Sequence, residues 1–240
     1  MKTILIPTTL QLDTISAVKS AICQANKKDC EIVLLYVSEA PDTFSSAQYL
    51  REMRVNFTTN QDEVLDTCRY IVDHTANCKI KIHNQSGLSS LILKGLIDFY
   101  AVKLIIFPHS YKQETKRIHQ YLFQLSVNQK CPILHLGLEQ NEGQFNKALY
   151  IENNNVNLSV ENIQQFLNEN FPLEIVSKTP HFEENYNEVA FYLTEAISKY
   201  NIDMLVETRK SQKIKFTRNK KQDLNDKLGL PVLSLYEELV

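Results

Sequence analysis

The chain alternates short, almost unbroken apolar runs with longer stretches in which apolar residues return every three or four positions. Thr3-Ile4-Leu5-Ile6, Ile32-Val33-Leu34-Leu35-Tyr36-Val37, Lys79-Ile80-Lys81-Ile82-His83, Leu104-Ile105-Ile106-Phe107 and Pro132-Ile133-Leu134-His135-Leu136 read as five strands. Several are apolar nearly throughout, as strands covered on both faces are, so a parallel sheet is expected. After the first strand, Ile15, Val18, Ala21, Ile22 and Ala25 recur at helical spacing behind an N-cap at Asp13 or Thr14, with Lys27-Lys28 suited to the far end. Asp62 to Thr75 predicts a helix with Val64, Leu65, Cys68, Ile71 and Val72 inward. Another starts at Ser86 or Ser89 and carries Leu88, Leu91, Ile92, Leu96 and Phe99, and a third covers Glu114 to Val127 with Ile118, Leu122 and Leu125 inward. Residues 39–60, polar around Pro41, form a long excursion with a short helix expected at 47–55.

The ends of the two halves repeat one another. A helix ending at Tyr100 leads to Val102–Phe107, a polar helical segment and Cys131-Pro132-Ile133-Leu134-His135-Leu136; a helix ending at Tyr200 leads to Ile202–Glu207, a polar segment and Leu230-Pro231-Val232-Leu233-Ser234-Leu235. Lys147–Ile151 echoes the first strand, a helix over Ser159–Asn170 follows it, and Leu173–Ser177 is a strand followed by a helix over Glu188–Tyr200. The second copy lacks one strand and one helix of the first. The expected units are therefore residues 1–138 and 147–240, joined by the polar linker Glu139–Asn146.

Composition narrows the class. At 240 residues and 43% hydrophobic, the chain can bury a core in one large or two modest domains. Its opening has neither the apolar length nor the cleavage site of a signal peptide, and no run reaches the ~18 residues that span a bilayer, so a cytoplasmic protein is expected. Five cysteines without a Cys-x-x-Cys pair read as reduced core residues, and neither they nor the scattered His74, His83, His119, His135 and His181 have metal-ligand spacing. A net charge of −2 argues against a nucleic-acid binder. Arg209–Lys221 holds seven basic residues and no acid, which reads as a solvated loop ahead of a phosphate or nucleic-acid patch.

The opening Lys2-Thr3-Ile4-Leu5-Ile6-Pro7-Thr8, the strand ending Leu35-Tyr36-Val37, Leu104-Ile105-Ile106-Phe107 and Cys131-Pro132-Ile133-Leu134 resemble the universal stress protein family, over residues 1–137 and more weakly over 147–236. The resemblance implies an α/β, adenine-nucleotide-hydrolase-like fold: a doubly wound parallel five-stranded sheet in the order 3-2-1-4-5, in two tandem copies. It also implies a stress-response or regulatory role, and a pseudo-dimer whose copies meet through their fifth strands, each opening with a proline. ATP-binding members carry an Asp at the end of strand one and a Gly-x2-Gly-x9-Gly-Ser/Thr stretch after strand four. Here Thr9 stands in place of that Asp, the stretch reads Pro108-His109-Ser110-Tyr111-Lys112-Gln113, and His119-Gln120 falls near the family's Gly-Ser. No glycine lies between Gly95 and Gly137. A phosphate cradle needs inward N–H groups and close approach, which Tyr111 obstructs and Pro108 diminishes. Glu207-Thr208-Arg209-Lys210 in the second copy lacks glycine too, and Glu207 repels phosphate.

At the carboxyl ends of the strands, Thr8, Thr9, Val37, Pro108, His109 and Ser110 are the candidate ligand-binding residues. The plainer reading is that the threonines cap a helix while His109 and Ser110 end a strand. No acidic orienter for His109 and Ser110 is visible, so catalysis is not expected. The expectation is a non-catalytic binding or regulatory module for a small ligand or protein partner, needing no cofactor, metal or membrane, with an intrachain pseudo-dimer and scope for a homodimer. Its rivals are an ATP-binding or nucleotide-hydrolysing member and a purely structural pseudo-dimer.

Overall fold

The computed structural model of the chain describes residues 1–25, 28–42, 45, 46, 48, 56–138, 145–152, 159–179, 186–211 and 228–240, with 186–191 described in backbone alone. The helix expected at 47–55, His181, most of the 139–146 linker and most of the basic segment after Lys210 lie outside the described residues.

The first half runs β1 (Lys2–Pro7), α1 (Asp13–Ala25), β2 (Cys30–Ser38), α2 (Thr59–Asp73), β3 (Cys78–Ser86), α3 (Ser90–Tyr100), β4 (Val102–Phe107), α4 (His109–Gln113), α5 (Arg117–Val127) and β5 (Ile133–His135). The second runs β6 (Lys147–Ile151), α6 (Val160–Asn170), β7 (Glu174–Lys178), α7 (Tyr186–Tyr200), β8 (Met204–Arg209) and β9 (Val232–Tyr236), closed by a 3-10 turn at Glu237–Leu239. The strands among the described residues join one nine-stranded sheet in the order β3-β2-β1-β4-β5-β9-β8-β6-β7. Pairing is parallel within each half, and the halves meet where β5 runs antiparallel to β9, with Ile133 opposite Ser234 and His135 opposite Val232.

Both faces are covered, which explains the unbroken apolar runs: Ile4, Leu5, Ile6, Ile32, Val33, Leu34 and Leu35 are all buried. On one face α1, α2 and α6 enclose a single core that crosses the seam, from Ile4 and Val18 through Leu134 to Ile163 and Leu235. On the other face there are two separate cores. Leu93, Tyr111, Leu122 and Leu125 pack over the first half, and Leu193 and Ala196 over the second.

Local chemistry sets the element ends. Thr58 and Gln61 form a reciprocal capping box at α2, Ser89 caps α3 and Ser159 caps α6. Ala101 and Asn201, one residue past α3 and α7, both take left-handed backbone, at φ 49° and 52°. Pro132 and Pro231 stand just outside β5 and β9, and their carbonyls accept the N–H groups of Ile105 and Leu205 at 3.0 and 2.9 Å. Their missing N–H therefore costs the ladder nothing.

Several expectations are corrected. Leu91 and Phe99 point outward, 81% and 79% exposed, because α3 seats Leu93, with Leu96 and Ile97 beside it, on the sheet. The helix expected over Glu114–Val127 is α5, which starts at Arg117 after an extended turn at Glu114–Lys116. His109 and Ser110 do not end a strand but open the separate short helix α4, because β4 stops at Phe107. Asp13 is the first residue of α1 and does not cap it; its carboxylate turns to Ser110.

Candidate functional site

The carboxyl ends of β1, β2 and β4 open at one pole of the sheet. Past β1 the chain must reverse into α1, and Leu10 does so with left-handed backbone, φ 59°, its N–H bonded to the Thr8 hydroxyl at 2.8 Å. The same hydroxyl is 2.7 Å from that of Thr14, so Thr8 is a buried brace of this turn. Thr9 faces outward: its hydroxyl donates to Glu114 Oε1 at 3.0 Å, and its carbonyl accepts from Gln61 Nε2 at 3.0 Å. The capping residue of α2 thus also fixes the wall of the site.

After β4, Pro108 precedes the five-residue α4. The Ser110 N–H and hydroxyl both donate to the Asp13 carboxylate, each at 2.7 Å, one to either oxygen. A fixed negative charge therefore occupies the donors that a bound phosphate would need. Tyr111 turns inward against Phe107, and its hydroxyl lies 3.0 Å from His119 Nδ1. Burial, then Glu114, pushes the Tyr111 phenol up and keeps it protonated. Burial pushes the His119 imidazole down against the pull of Glu114, so it stays neutral at neutral pH.

Two cavities result. One of about 380 Å³ is lined by Thr9, Tyr36, Val37, Glu39, Glu114 and His119 among others. A second of about 190 Å³ lies between α1, α4 and the seam, lined by Asp13, His109, Ser110, Leu136, Phe145 and Pro231 among others. The six candidate residues are divided between them: Thr9 and Val37 line the larger, His109 and Ser110 the smaller, and Thr8 and Pro108 neither. The acidic partner of Ser110 that the sequence left unseen is Asp13, and His109 Nε2 lies 2.8 Å from the Gln113 amide.

The second half fills its corresponding place with Arg209, buried at the end of β8. Its guanidinium donates to the carbonyls of Val127 and Gln129 at 3.1 Å each, and to those of Cys131 and Ser234, and it lies over the Tyr236 ring. Three of the four carbonyls belong to the first half, which makes Arg209 a bolt across the seam. Burial lowers its pKa to about 10, so it remains charged at neutral pH. No helix among the described residues is long and apolar enough to cross a membrane.

No family model matches the chain, and no curated protein matches it. Solved structures do. A universal stress protein from Archaeoglobus fulgidus DSM 4304 superposes at a TM-score of 0.56 and 9% identity, covering 98% of this chain and 96% of its own. A functionally unknown protein from Pseudomonas aeruginosa PAO1 gives 0.53 at 14% identity, covering 100% and 94%. A candidate universal stress protein from Pseudomonas aeruginosa UCBPP-PA14 gives 0.51 at 14%, covering 100% and 95%. With helices on both faces of a mostly parallel sheet in the order 3-2-1-4-5, and with these full-length superpositions, the chain has the α/β fold of the universal stress proteins.

Proposed function

We propose that the protein is a non-catalytic, cytoplasmic regulatory module of universal stress type that binds a small ligand, or a protein partner, without using ATP. The observation that carries this reading is the Asp13–Ser110 pair. Its carboxylate consumes the N–H and O–H after strand four, and phosphate brought there would meet a negative charge at hydrogen-bond range. Tyr111 and His119 fill the adjoining space, and the larger cavity is lined by two carboxylates, Glu39 and Glu114, against one ammonium, Lys116. That cavity, at the lower end of the usual ligand-pocket range, suits a small neutral or cationic molecule better than a nucleotide.

In the same proposal residues 1–138 and 147–240 are tandem copies packed as a pseudo-dimer. The antiparallel β5–β9 contact, the paired left-handed residues Ala101 and Asn201 and the core shared across the seam support it.

Calorimetry of ATP binding with and without Mg²⁺ tests the first reading. The native protein should show no micromolar affinity, and micromolar binding would overturn the proposal in favour of a nucleotide-using member. Mass spectrometry of small molecules released on denaturation identifies the ligand.

A further inference from the structure

The opposite pole of the sheet, at the amino ends of β1 and β4, holds a cavity of about 480 Å³ that borders both halves. Four lysines line it: Lys2 on β1, Lys28 after α1, Lys103 on β4 and Lys130 before β5. Its apolar wall comes from Val102, Pro132 and, across the seam, Phe166 and Phe171. We propose that this cavity binds a small phosphate-bearing molecule with a flat apolar body.

The charges sort by task. Lys2 is the inner one: its ammonium donates to Gln24 O at 2.9 Å and Asn170 O at 3.1 Å and sits 4.6 Å above the Phe171 ring. Those carbonyls belong to the last turns of α1 and α6, so Lys2 offsets the negative ends of two helices that would otherwise repel an anion. Lys130 is bonded to Glu238. Lys28 and Lys103 have no carboxylate partner among the described residues, and Glu169 is the one acid lining the cavity.

Burial lowers the Lys2 pKa, Cys30 opposes that and Lys28 adds to it, while the Cys131 thiol, pushed up by burial, is pulled back by Arg209, Lys103 and Lys2. Four ammonium groups lining one volume are an arrangement an anion relieves. Lysines act on phosphate as point charges and do not require the planar fork of arginine. With the Phe171 ring buried under Lys2, it is the half-buried Phe166 against which a flat ring would pack, burying apolar area that phosphate alone cannot. The inference is independent of the site at the other pole, where carboxylates outnumber ammonium groups.

Phenyl phosphate and inorganic phosphate are the probes, titrated into the full chain at low salt by calorimetry, with amide shifts recorded by NMR. Phenyl phosphate should bind saturably, more tightly than inorganic phosphate, with shifts centred on Lys2, Val102, Cys131 and Phe171, and should weaken steeply with added salt. The exposed pair Lys28→Glu with Lys103→Glu, checked for native circular dichroism, should weaken it roughly tenfold or more. Lys28→Gln with Lys103→Gln, which adds no negative charge, should show a smaller loss in the same direction. Absence of saturable binding, shifts confined to the other pole, equal affinity for the two probes, or unchanged affinity in both double variants would overturn the proposal.

Discussion

Ala101 shows how much a single backbone angle matters. A residue with a Cβ in left-handed backbone costs about 1 kcal/mol relative to glycine, and Ala101 has no side-chain polar group to repay it, whereas its counterpart Asn201 does. Ala101→Gly should therefore raise the unfolding free energy by about 0.5–1 kcal/mol in urea titrations, while Asn201→Gly gains less. Cysteine chemistry is also set residue by residue: burial pushes the thiols of Cys30, Cys68 and Cys131 up to about 12. These three should resist iodoacetamide at pH 8 in the folded protein and react once it is denatured, which peptide mass mapping would report. Ready alkylation of Cys68 in the native state would contradict the packing of α2.

At the scale of elements, the seam is the most exposed to test. A Cβ added at Gly137 would lie 1.9 Å from the Gly229 carbonyl oxygen, where two backbones pass without room for a side chain. Gly137→Ala should cost about 1–3 kcal/mol, and Arg209→Met, which strands four carbonyls, at least as much. Both losses are read as lower urea midpoints; an unchanged midpoint for Arg209→Met would mean that water replaces the bolt freely. The same scale shows what the sequence could carry. All the described strands were legible, the inner ones because a strand buried on both faces leaves a run such as Ile32–Val37. The edge strands β3 and β7, only partly buried, were legible through short β-branched stretches such as Ile80 and Ile82 or Ile175 and Val176. The helices were legible as periods, but a period does not say which stripe faces inward. In α3, Leu91 and Phe99 form as good a stripe as Leu93 and Leu96, and the sheet selects the latter. The site was legible only as a location. Asp13 and Ser110 are 97 positions apart, and nothing local distinguishes a carboxylate that caps its own helix from one that reaches across to another.

For the whole molecule, the two halves are joined at Lys2 as well as through the sheet, since its ammonium donates to Asn170 O and lies over Phe171. Unfolded Lys2 keeps its proton to the ordinary 10.5, but burial, aided by Lys28, lowers the folded value to about 8. Between those pH values the unfolded chain binds more protons, so the stability penalty of burying Lys2 is full below pH 8 and fades as pH rises toward 10.5. The stability difference between the native chain and Lys2→Met should therefore shift in favour of the native chain over that window; a flat difference would mean that the folded ammonium is not depressed. The seam has a further consequence, in time. β9, the neighbour of β5, is made about a hundred residues after it. At the ~5–20 residues per second of synthesis, the finished first half waits roughly 5–20 s with β5 open to any passing strand. A nascent chain stalled between β5 and β9 should thus be the form most readily captured by chaperones or by a second nascent copy, and the protein's yield should depend on how quickly the ribosome crosses that interval.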